Sequence, residues 1–363
     1  MRIVIKCGSS LLTRSDGNLD DGFIADLCEQ ITDLFEEGHE VMLVSSGAVA
    51  TGAGILGRRG DGSESTAVRQ VLAAVGQSPL IETYRRCLEG HRRLAAQALI
   101  SRSDLERRSG YLNARNACLA LLGMGILPIV NENDVVATEE LQFGDNDRLS
   151  ALVANLVDAD ILVILTDVDG FYGRAANGEQ KLLREVGAIT DEHYRLAGAS
   201  SGTHSVGGMR SKLDAARLAQ SHGAVTVIAS GRTPNVTVRI AGGERIGTWF
   251  SAPSRRTGSR QRWMLAEFAP CGTIRVDSGA ADALRNRRGS LLPVGVLDAS
   301  GDFERGDLVA VLDADDQEIA RGLASYDCQD VSRIAGASSS QISDRLGYEF
   351  GAEVIHRNNM VVL

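Results

Sequence analysis

Lysine is nearly absent from this chain, since only three of the 38 basic side chains among its 363 residues are lysines. They are Lys6, Lys181 and Lys212. Lys6 ends a strand pattern just before a glycine, and Lys212 follows a pair of glycines at the start of a helical pattern. A lysine beside a glycine-rich loop suits a bound phosphate, and the wide fork of arginine does not replace it in a tight site. Lys6 and Lys212 are therefore candidate phosphate ligands, whereas Lys181 lies in a polar stretch and is expected to be a solvated surface charge.

Long apolar runs, paired cysteines and excess positive charge are also missing. No apolar stretch is long enough to span a bilayer, and the first residues form a strand pattern rather than a signal peptide. The six cysteines include no C-x-x-C pair, which argues against a zinc site and for reduced thiols in the cytoplasm. A formal charge of −9 gives no general attraction to nucleic acid or to an anionic membrane. An anionic substrate must then be held by a local positive site.

Residues 1–250 alternate short apolar runs with helical patterns. The strand candidates are residues 2–5, 41–44, 95–100, 126–130, 161–165 and 225–229, and the helix candidates include one that starts at Asp20 or Asp21 and others near 66–88, 112–122, 148–156 and 209–222. This alternation predicts an α/β fold with a mostly parallel open sheet that is sandwiched by helices. Ligands of such sheets bind beyond the carboxyl ends of the strands.

The composition and the hydrophobic pattern of the sequence change after residue 250. Residues 251–262 are polar, basic and rich in turn formers, and they are interpreted as a linker. Residues 263–363 are predicted to form a small β-rich domain, with strand candidates at 272–276, 294–297, 308–312, 353–356 and 360–363. This tail holds nine arginines, no lysine and sixteen acidic residues, a balance of 9 − 16 = −7 that is poor for binding a phosphate backbone.

Five loop regions carry the candidate chemistry. They are residues 6–10, 45–50, the acidic segments 131–134 and 143–147, residues 166–170, and residues 205–212. Taken singly, most of them are explained equally well as helix caps or solvated turns. The acidic segments could hold the ammonium group of an amino acid, order a catalytic lysine or ligate Mg²⁺. The last loop lacks the G-x-x-x-x-G-K-[ST] spacing and is not a Walker A motif.

Taken together, these loops resemble the amino acid kinase family, and the tail resembles a PUA module. The segments that carry the resemblance are 5–10, 44–49, 111–116, 128–134, 143–147 and 207–212, with 289–296 and 347–357 in the tail. It covers essentially the whole chain and implies the amino acid kinase fold for residues 1–250. Two positions depart from the family pattern. Val206 stands where such enzymes usually have threonine, and Cys7 stands where another hydrophobic residue is usual.

The resemblance implies transfer of the γ-phosphoryl group of ATP to the side-chain carboxylate of L-glutamate, as the first step of proline biosynthesis. A carboxylate is ionised at neutral pH, so the reaction needs no general base. The task of the protein is then to align two anions and to neutralise the charge between them. Mg²⁺ is expected to arrive on the nucleotide phosphates, without direct protein ligands.

The resemblance also implies roles for particular residues. Lys6 and Lys212 neutralise the transferring phosphoryl group, Asp147 orients both lysines, and the backbone N–H groups of Gly8 and Gly47 stabilise that group. The glutamate-binding positions are Ser46, Asp134 and Asn146. The ATP-binding positions are Lys6, Thr166, Asp167, Val206, Gly207, Gly208, Met209, Arg210, Ser211 and Lys212.

Further expectations concern partners and competing functions. The resemblance implies a homodimer or homotetramer, feedback inhibition by proline, and the downstream glutamyl-phosphate reductase as a partner. Within the same fold, acetylglutamate, aspartate, carbamate or UMP could be the acceptor, although the 131–134 segment and the tail favour glutamate. RNA binding through the tail is the alternative from another class, carried by the basic cluster of residues 285–288.

Overall fold

The computed structural model describes residues 1–14, 17–58, 65–101, 104–105, 108–136, 146–174, 179–199, 208–251, 270–286 and 289–363. The chain divides into two compact units, Met1–Arg256 and Thr257–Leu363. Most of the predicted linker, residues 251–262, lies outside the described residues. Among the helices that are described, none combines the length and the apolar character needed to cross a membrane.

The described part of the first unit contains ten strands. They are β1 (Arg2–Cys7), β2 (Glu40–Ser45), β3 (Ala95–Ile100), β4 (Leu127–Glu132), β5 (Ile161–Thr166), β6 (Tyr172–Arg174), β7 (Gln180–Leu182), β8 (Glu185–Val186), β9 (Val225–Ser230) and β10 (Thr248–Phe250). Eight of them form one sheet in the order β3-β4-β2-β1-β5-β9-β10-β8. The first six strands of this order are mutually parallel, and β10 pairs antiparallel with β9. The predicted mostly parallel sheet is thus confirmed.

Helices cover both faces of this sheet. They are α1 (Ser9–Leu12), α2 (Asp21–Glu36), α3 (Ala48–Ile55), α4 (Thr66–Gly90), α5 (Arg108–Gly123), α6 (Asn146–Leu156), α7 (Asp191–Ala199), α8 (Met209–Ser221) and α9 (Val236–Ala241). Because side chains alternate along a strand, Ile3 and Ile5 pack with α2, α4 and α9, whereas Val4 packs with α5, α6, α7 and α8. The α/β sandwich therefore has two separate apolar layers.

Local sequence explains where several of these elements begin and end. The Asp20 carboxylate accepts a hydrogen bond of 3.2 Å from the backbone N–H of Phe23 and caps α2, as predicted. Gly38 follows that helix with a φ of 79°, a conformation that favours glycine. Lys6 lies near the end of β1 and Ser45 ends β2, so both stand at the carboxyl edge of the sheet.

The second unit is built on a five-stranded sheet. Its strands are β11 (Gly272–Val276), β12 (Val296–Gly301), β13 (Leu308–Leu312), β14 (Glu318–Leu323) and β15 (Met360–Val362), in the order β12-β11-β13-β14-β15. Three helices, α10 (Ser278–Arg285), α11 (Cys328–Ile334) and α12 (Ile342–Leu346), accompany it. This unit has its own apolar core around Ile274, Val309 and Tyr326. Residues 353–356 were predicted as a strand, but Ile355 forms only an isolated bridge to Leu291.

Candidate active site

Two of the three lysines meet on one buried carboxylate. The Nζ atom of Lys6 lies 2.5 Å from Oδ1 of Asp147, and the Nζ atom of Lys212 lies 3.0 Å from Oδ2. Asp147 is completely buried, and Lys6 and Lys212 are only 4% and 7% exposed. The hydroxyl of Ser211 also donates to Oδ2 of Asp147, at 2.9 Å. These three ionised side chains carry a net charge of +1 in a region of low polarity, where an added anion is strongly attracted.

A network of neutral amides lies beside this charged centre. The Nδ2 atom of Asn146 donates to the carbonyl of Ser45 at 2.7 Å, to Oδ1 of Asn131 at 3.0 Å and to Oγ of Ser46 at 3.1 Å. The Nδ2 atom of Asn131 in turn donates to Oε1 of Gln77 at 2.7 Å. Asn146 and Asp147 are consecutive at the start of α6, so the amide network and the charged centre share one helix terminus.

The glycine loops after β1 and β2 differ in detail. Gly47 has a φ of 101°, so its conformation favours glycine, and it precedes the first turn of α3. Gly8 has an ordinary φ of −75°, and its N–H donates to the carbonyl of Leu165 at 3.3 Å. To bind a phosphoryl oxygen as predicted, this N–H would have to leave that carbonyl. A Cβ atom at Gly8 would lie 3.8 Å from the Lys6 ammonium, an ordinary contact distance, so this loop runs directly beside the charged centre.

Asp134 follows β4 and is partly buried. Burial raises the pKa of its carboxyl to about 6, and the nearby Arg69 guanidinium lowers it only in part. A carboxylate that burial has stripped of much of its hydration is well prepared to receive an ammonium group. Cys7, by contrast, is completely buried, and burial raises the pKa of its thiol to about 12. It therefore acts as the hydrophobic residue that is usual at this position.

The predicted nucleotide positions lie on two elements. Thr166 ends β5, and its hydroxyl donates to the carboxylate of Asp167 at 3.1 Å. Gly208 precedes α8, whose first turn contains Met209, Arg210, Ser211 and Lys212. The guanidinium of Arg210 lies over the ring of Tyr194, 5.8 Å from its centroid. Val206 and Gly207 lie outside the described residues.

The strand order arranges these groups in a row. Because β1 lies between β2 and β5, Lys6 stands between Ser46, which follows β2, and Thr166 on β5. The amide network and Asp134 are on the β2 and β4 side, and Thr166 and Asp167 are on the β5 side. Two groups of polar residues with a positive centre between them can contact two anionic molecules placed end to end.

Comparison with known proteins identifies the family of the chain. The profile of the amino acid kinase family matches residues 1–230. The chain belongs to the amino acid kinase family. It is 47% identical to a glutamate 5-kinase of Dehalococcoides mccartyi strain CBDB1, over 100% of this chain and 98% of that protein. It is also 47% identical to a glutamate 5-kinase of Herpetosiphon aurantiacus, over 99% of this chain and 98% of that protein.

The two units of this family member match different known domains. The profile of the PUA domain matches residues 272–346, so the second unit contains a PUA domain. A carbamate kinase from Giardia lamblia bound to AMP-PNP has a similar structure, with a TM-score of 0.51 and 18% sequence identity, over 69% of this chain and 98% of that one. This likeness concerns the fold alone. The family and the fold class expected from the sequence are both confirmed.

Three residues that support the site or the helix carrying it fall outside the predicted set. Gln77 supports Asn131, and the hydroxyl of Tyr84 lies 3.1 Å from Oγ of Ser45. Arg115 is completely buried and donates to the carbonyl of Leu156 and to the carboxylate of Asp158, at the end of α6. Arg115 lies in a segment that carried the resemblance, but Gln77 and Tyr84 lie in a long helix with no motif. Only their tertiary contacts reveal them.

Proposed function

We propose that this protein is an ATP-dependent kinase that phosphorylates the side-chain carboxylate of L-glutamate to give L-glutamyl 5-phosphate, the first step of proline biosynthesis. The observation that carries the proposal is the pair Asn146–Asp147. Asn146 belongs to a network of neutral amides suited to an amino acid, and Asp147 binds two lysines suited to phosphate. Relatives that match over the whole chain and are named glutamate 5-kinase support this choice of acceptor.

Glutamate binds on the β2 and β4 side of the site. The Asp134 carboxylate and the Oδ1 atom of Asn146 accept from its α-ammonium group, and the hydroxyl of Ser46 donates to a substrate oxygen. N-acetylglutamate has no ammonium group at this point, so it would leave the Asp134 carboxylate without a cation. An unpaired, partly buried charge costs free energy, and this favours the free amino acid.

The lysine centre acts on the group that is transferred. A side-chain carboxylate oxygen of glutamate forms a bond to the γ-phosphorus while the bond from that phosphorus to the β,γ-bridging oxygen breaks, and ADP leaves. No proton moves, because the acceptor is already ionised. A cation about 4 Å from a phosphoryl oxygen contributes roughly 4 kcal/mol at an effective dielectric constant near 20. Asp147 keeps Lys6 and Lys212 side by side, so that both can face the same phosphoryl group.

ATP is the phosphoryl donor, on the nucleotide side of the site, where Thr166, Asp167 and residues 208–212 lie. Both carboxylate oxygens of Asp147 contact lysine ammonium groups, so this residue is not suited to ligate a metal. Among the described residues, no group of three or more histidine, cysteine or acidic side chains is arranged to hold a metal ion. We propose that Mg²⁺ enters on the nucleotide phosphates, where it would neutralise their charge.

Several finer expectations belong to the same proposal. All six cysteines are free thiols, and a cytoplasmic location is part of the proposal. Proline carries a carboxylate and a cationic nitrogen, so it competes with glutamate for Asp134 and Asn146. Assembly into a dimer or tetramer and delivery of the product to the reductase remain predictions from the sequence. RNA binding is disfavoured because the tail carries nine arginines against sixteen acidic residues, and Arg285 of its basic cluster is paired with Asp313.

A substrate panel tests the proposal. Purified protein, ATP and Mg²⁺ are incubated with L-glutamate, N-acetyl-L-glutamate, L-aspartate, carbamate or UMP, and ADP release is measured. Hydroxylamine trapping measures acyl phosphate in parallel. We expect both signals with L-glutamate and at least a hundredfold lower kcat/KM with each other acceptor. A higher kcat/KM with any other member of the panel would contradict the proposal.

A further inference from the structure

We propose that Gln77, a helix residue outside the predicted loops, is a positioning residue for the amino-acid substrate. The proposal rests on the function proposed above. Gln77 lies in α4 and is partly buried. Its Oε1 atom accepts a hydrogen bond of 2.7 Å from Asn131, and Asn131 accepts one of 3.0 Å from Asn146. A chain of two hydrogen bonds thus connects the helix to a residue that would touch glutamate.

The direction of each hydrogen bond fixes which way the amides face. The backbone carbonyl of Ser45 can only accept, so Asn146 must turn its Nδ2 atom toward it and its Oδ1 atom away. Asn131 must turn its Oδ1 atom toward Asn146, and the same oxygen accepts from the backbone N–H of Glu132 at 2.9 Å. If Asn131 were turned over, its donor would face two other donors. Gln77 opposes that rotation by offering an acceptor to the Nδ2 atom of Asn131.

Close packing of α4 against α3 fixes the position of Gln77 relative to the site. A Cβ atom at the preceding residue, Gly76, would lie only 1.9 Å from the carbonyl oxygen of Ala48, in the first turn of α3. The backbones of α4 and α3 therefore touch, and no larger residue fits there. Seven residues after Gln77, on the same face of the helix, Tyr84 contacts the hydroxyl of Ser45 at 3.1 Å. Gly76 thus allows α4 to pack against α3, while Gln77 and Tyr84 connect α4 to Asn131 and Ser45.

The consequence concerns binding rather than phosphoryl transfer. An ammonium group needs acceptors, and Asn146 offers Oδ1 to it only while the amide chain keeps its direction. Loss of the Gln77 acceptor leaves the Nδ2 atom of buried Asn131 unpaired and lets the chain reorient. The ion pairs of Lys6, Asp147 and Lys212 do not include Gln77. The glutamate affinity should therefore fall while the chemical step is retained.

The test compares two variants of the full chain. Gln77→Met keeps the length of the side chain but removes the acceptor, whereas Gln77→Glu keeps an acceptor for Asn131. We expect Gln77→Met to raise the KM for glutamate about tenfold, equivalent to about 1.4 kcal/mol. Its kcat and its KM for ATP should stay within threefold of the parent values. Gln77→Glu and the matched control Gln180→Met, at an exposed position in β7, should keep all three constants within threefold.

A double-mutant cycle separates positioning from general loss of structure. If Gln77 acts through Asn131, then Gln77→Met should change the KM for glutamate less than threefold in an Asn131→Ala background. An unchanged KM in Gln77→Met, equal increases for ATP and glutamate, or additive effects in the cycle would overturn the proposal. If Gln77→Met does not fold, a tenfold or greater rise in Gln77→Glu would also overturn it. A parent protein that is inactive with glutamate would instead refute the proposed function.

Discussion

The charged centre and the amide network are neighbours on α6, yet they are held by different forces. Lys6, Asp147 and Lys212 are tied by ion pairs between buried groups, each of which depends on the others for its charge balance. Asn131 and Asn146 are held by hydrogen bonds between uncharged groups. The direction of these bonds fixes which atom of each amide faces the substrate. Removing one charge leaves a buried excess of charge, whereas removing one amide partner leaves one unsatisfied donor.

This contrast assigns different kinetic roles to the two halves. A charge that acts on a transferring phosphoryl group stabilises mainly the transition state, so its loss lowers kcat. Hydrogen bonds to the α-ammonium and α-carboxylate groups of an amino acid stabilise the bound substrate and the transition state equally, so their loss raises KM. The predictions below are ordered by the size of the expected effect.

Substitution of the lysines should have the largest effect. Lys6→Arg and Lys212→Arg keep the charge but place a wider fork in a space that fits an ammonium group 2.5 to 3.0 Å from Asp147. We expect kcat to fall by at least about a thousandfold, which corresponds to about 4 kcal/mol. Circular dichroism should show a folded protein in both variants. The matched control is Lys181→Arg at an exposed position, which should be neutral. Near-normal turnover of Lys212→Arg would show that the first turn of α8 is not part of the active site.

Substitution of Arg115 should destabilise the helix that carries both the charged centre and the amide network, because Arg115 anchors the far end of α6. Its Nη2 atom lies 2.6 Å from the carboxylate of Asp158, and its Nη1 atom donates to the carbonyl of Leu156, the last residue of α6. Charged hydrogen bonds contribute about 1.5 to 3 kcal/mol each, so Arg115→Met should lower the free energy of unfolding by about 3 kcal/mol. Urea denaturation measures this change.

The control for Arg115 is an arginine on the surface. Arg85 is paired with Glu82 on the exposed side of α4, where solvent screens the two charges and the pair adds little to stability. Arg85→Met should therefore leave the denaturation midpoint almost unchanged. Equal stability of Arg115→Met and the parent protein would show that α6 does not depend on this anchor.

Acidification should weaken glutamate binding through Asp134. The pKa of this carboxyl is raised to about 6, so in the free protein it is charged above pH 6 and protonated below it. Glutamate itself keeps its charges between pH 5 and 8. We expect the KM for glutamate to be constant above pH 7 and to rise about tenfold per pH unit below pH 6, with little change in kcat. In Asp134→Asn the KM should be high at every pH, and a profile parallel to that of the parent would contradict the assignment.

The same shift predicts the sign of an effect on stability. Between the ordinary pKa of an aspartate and pH 6, the folded protein binds more protons at Asp134 than the unfolded chain does. Stability contributed by this group is therefore present at low pH and is lost as the pH rises through 6. Asp134→Asn should thus resist urea better than the parent protein at pH 7 while it binds glutamate less well.

The charged half of the site was predictable from the sequence, and part of the amide half was not. Lys6 and Lys212 are distinguished by the rarity of lysine and by their glycine neighbours, and the resemblance supplied Asp147. Gln77 has neither signal, because its function depends on where α4 packs. The same limit applies to β14 (Glu318–Leu323), which was not predicted. Its Gly322 disrupts the strand pattern, and the reason for that glycine is tertiary, since a Cβ there would lie 2.5 Å from Ile355.

The most direct test of the division between the two halves is glutamate binding by a protein with a damaged charged centre. Isothermal titration calorimetry of Lys212→Arg with L-glutamate, in the presence of Mg²⁺ and a non-hydrolysable ATP analogue, measures affinity without turnover. Glutamate binding with a Kd within threefold of the parent value, in a variant whose turnover is lost, is the result that this account predicts. A loss of glutamate affinity as large as the loss of turnover would contradict it, because the lysine centre would then be needed to hold the amino acid as well as to transfer the phosphoryl group.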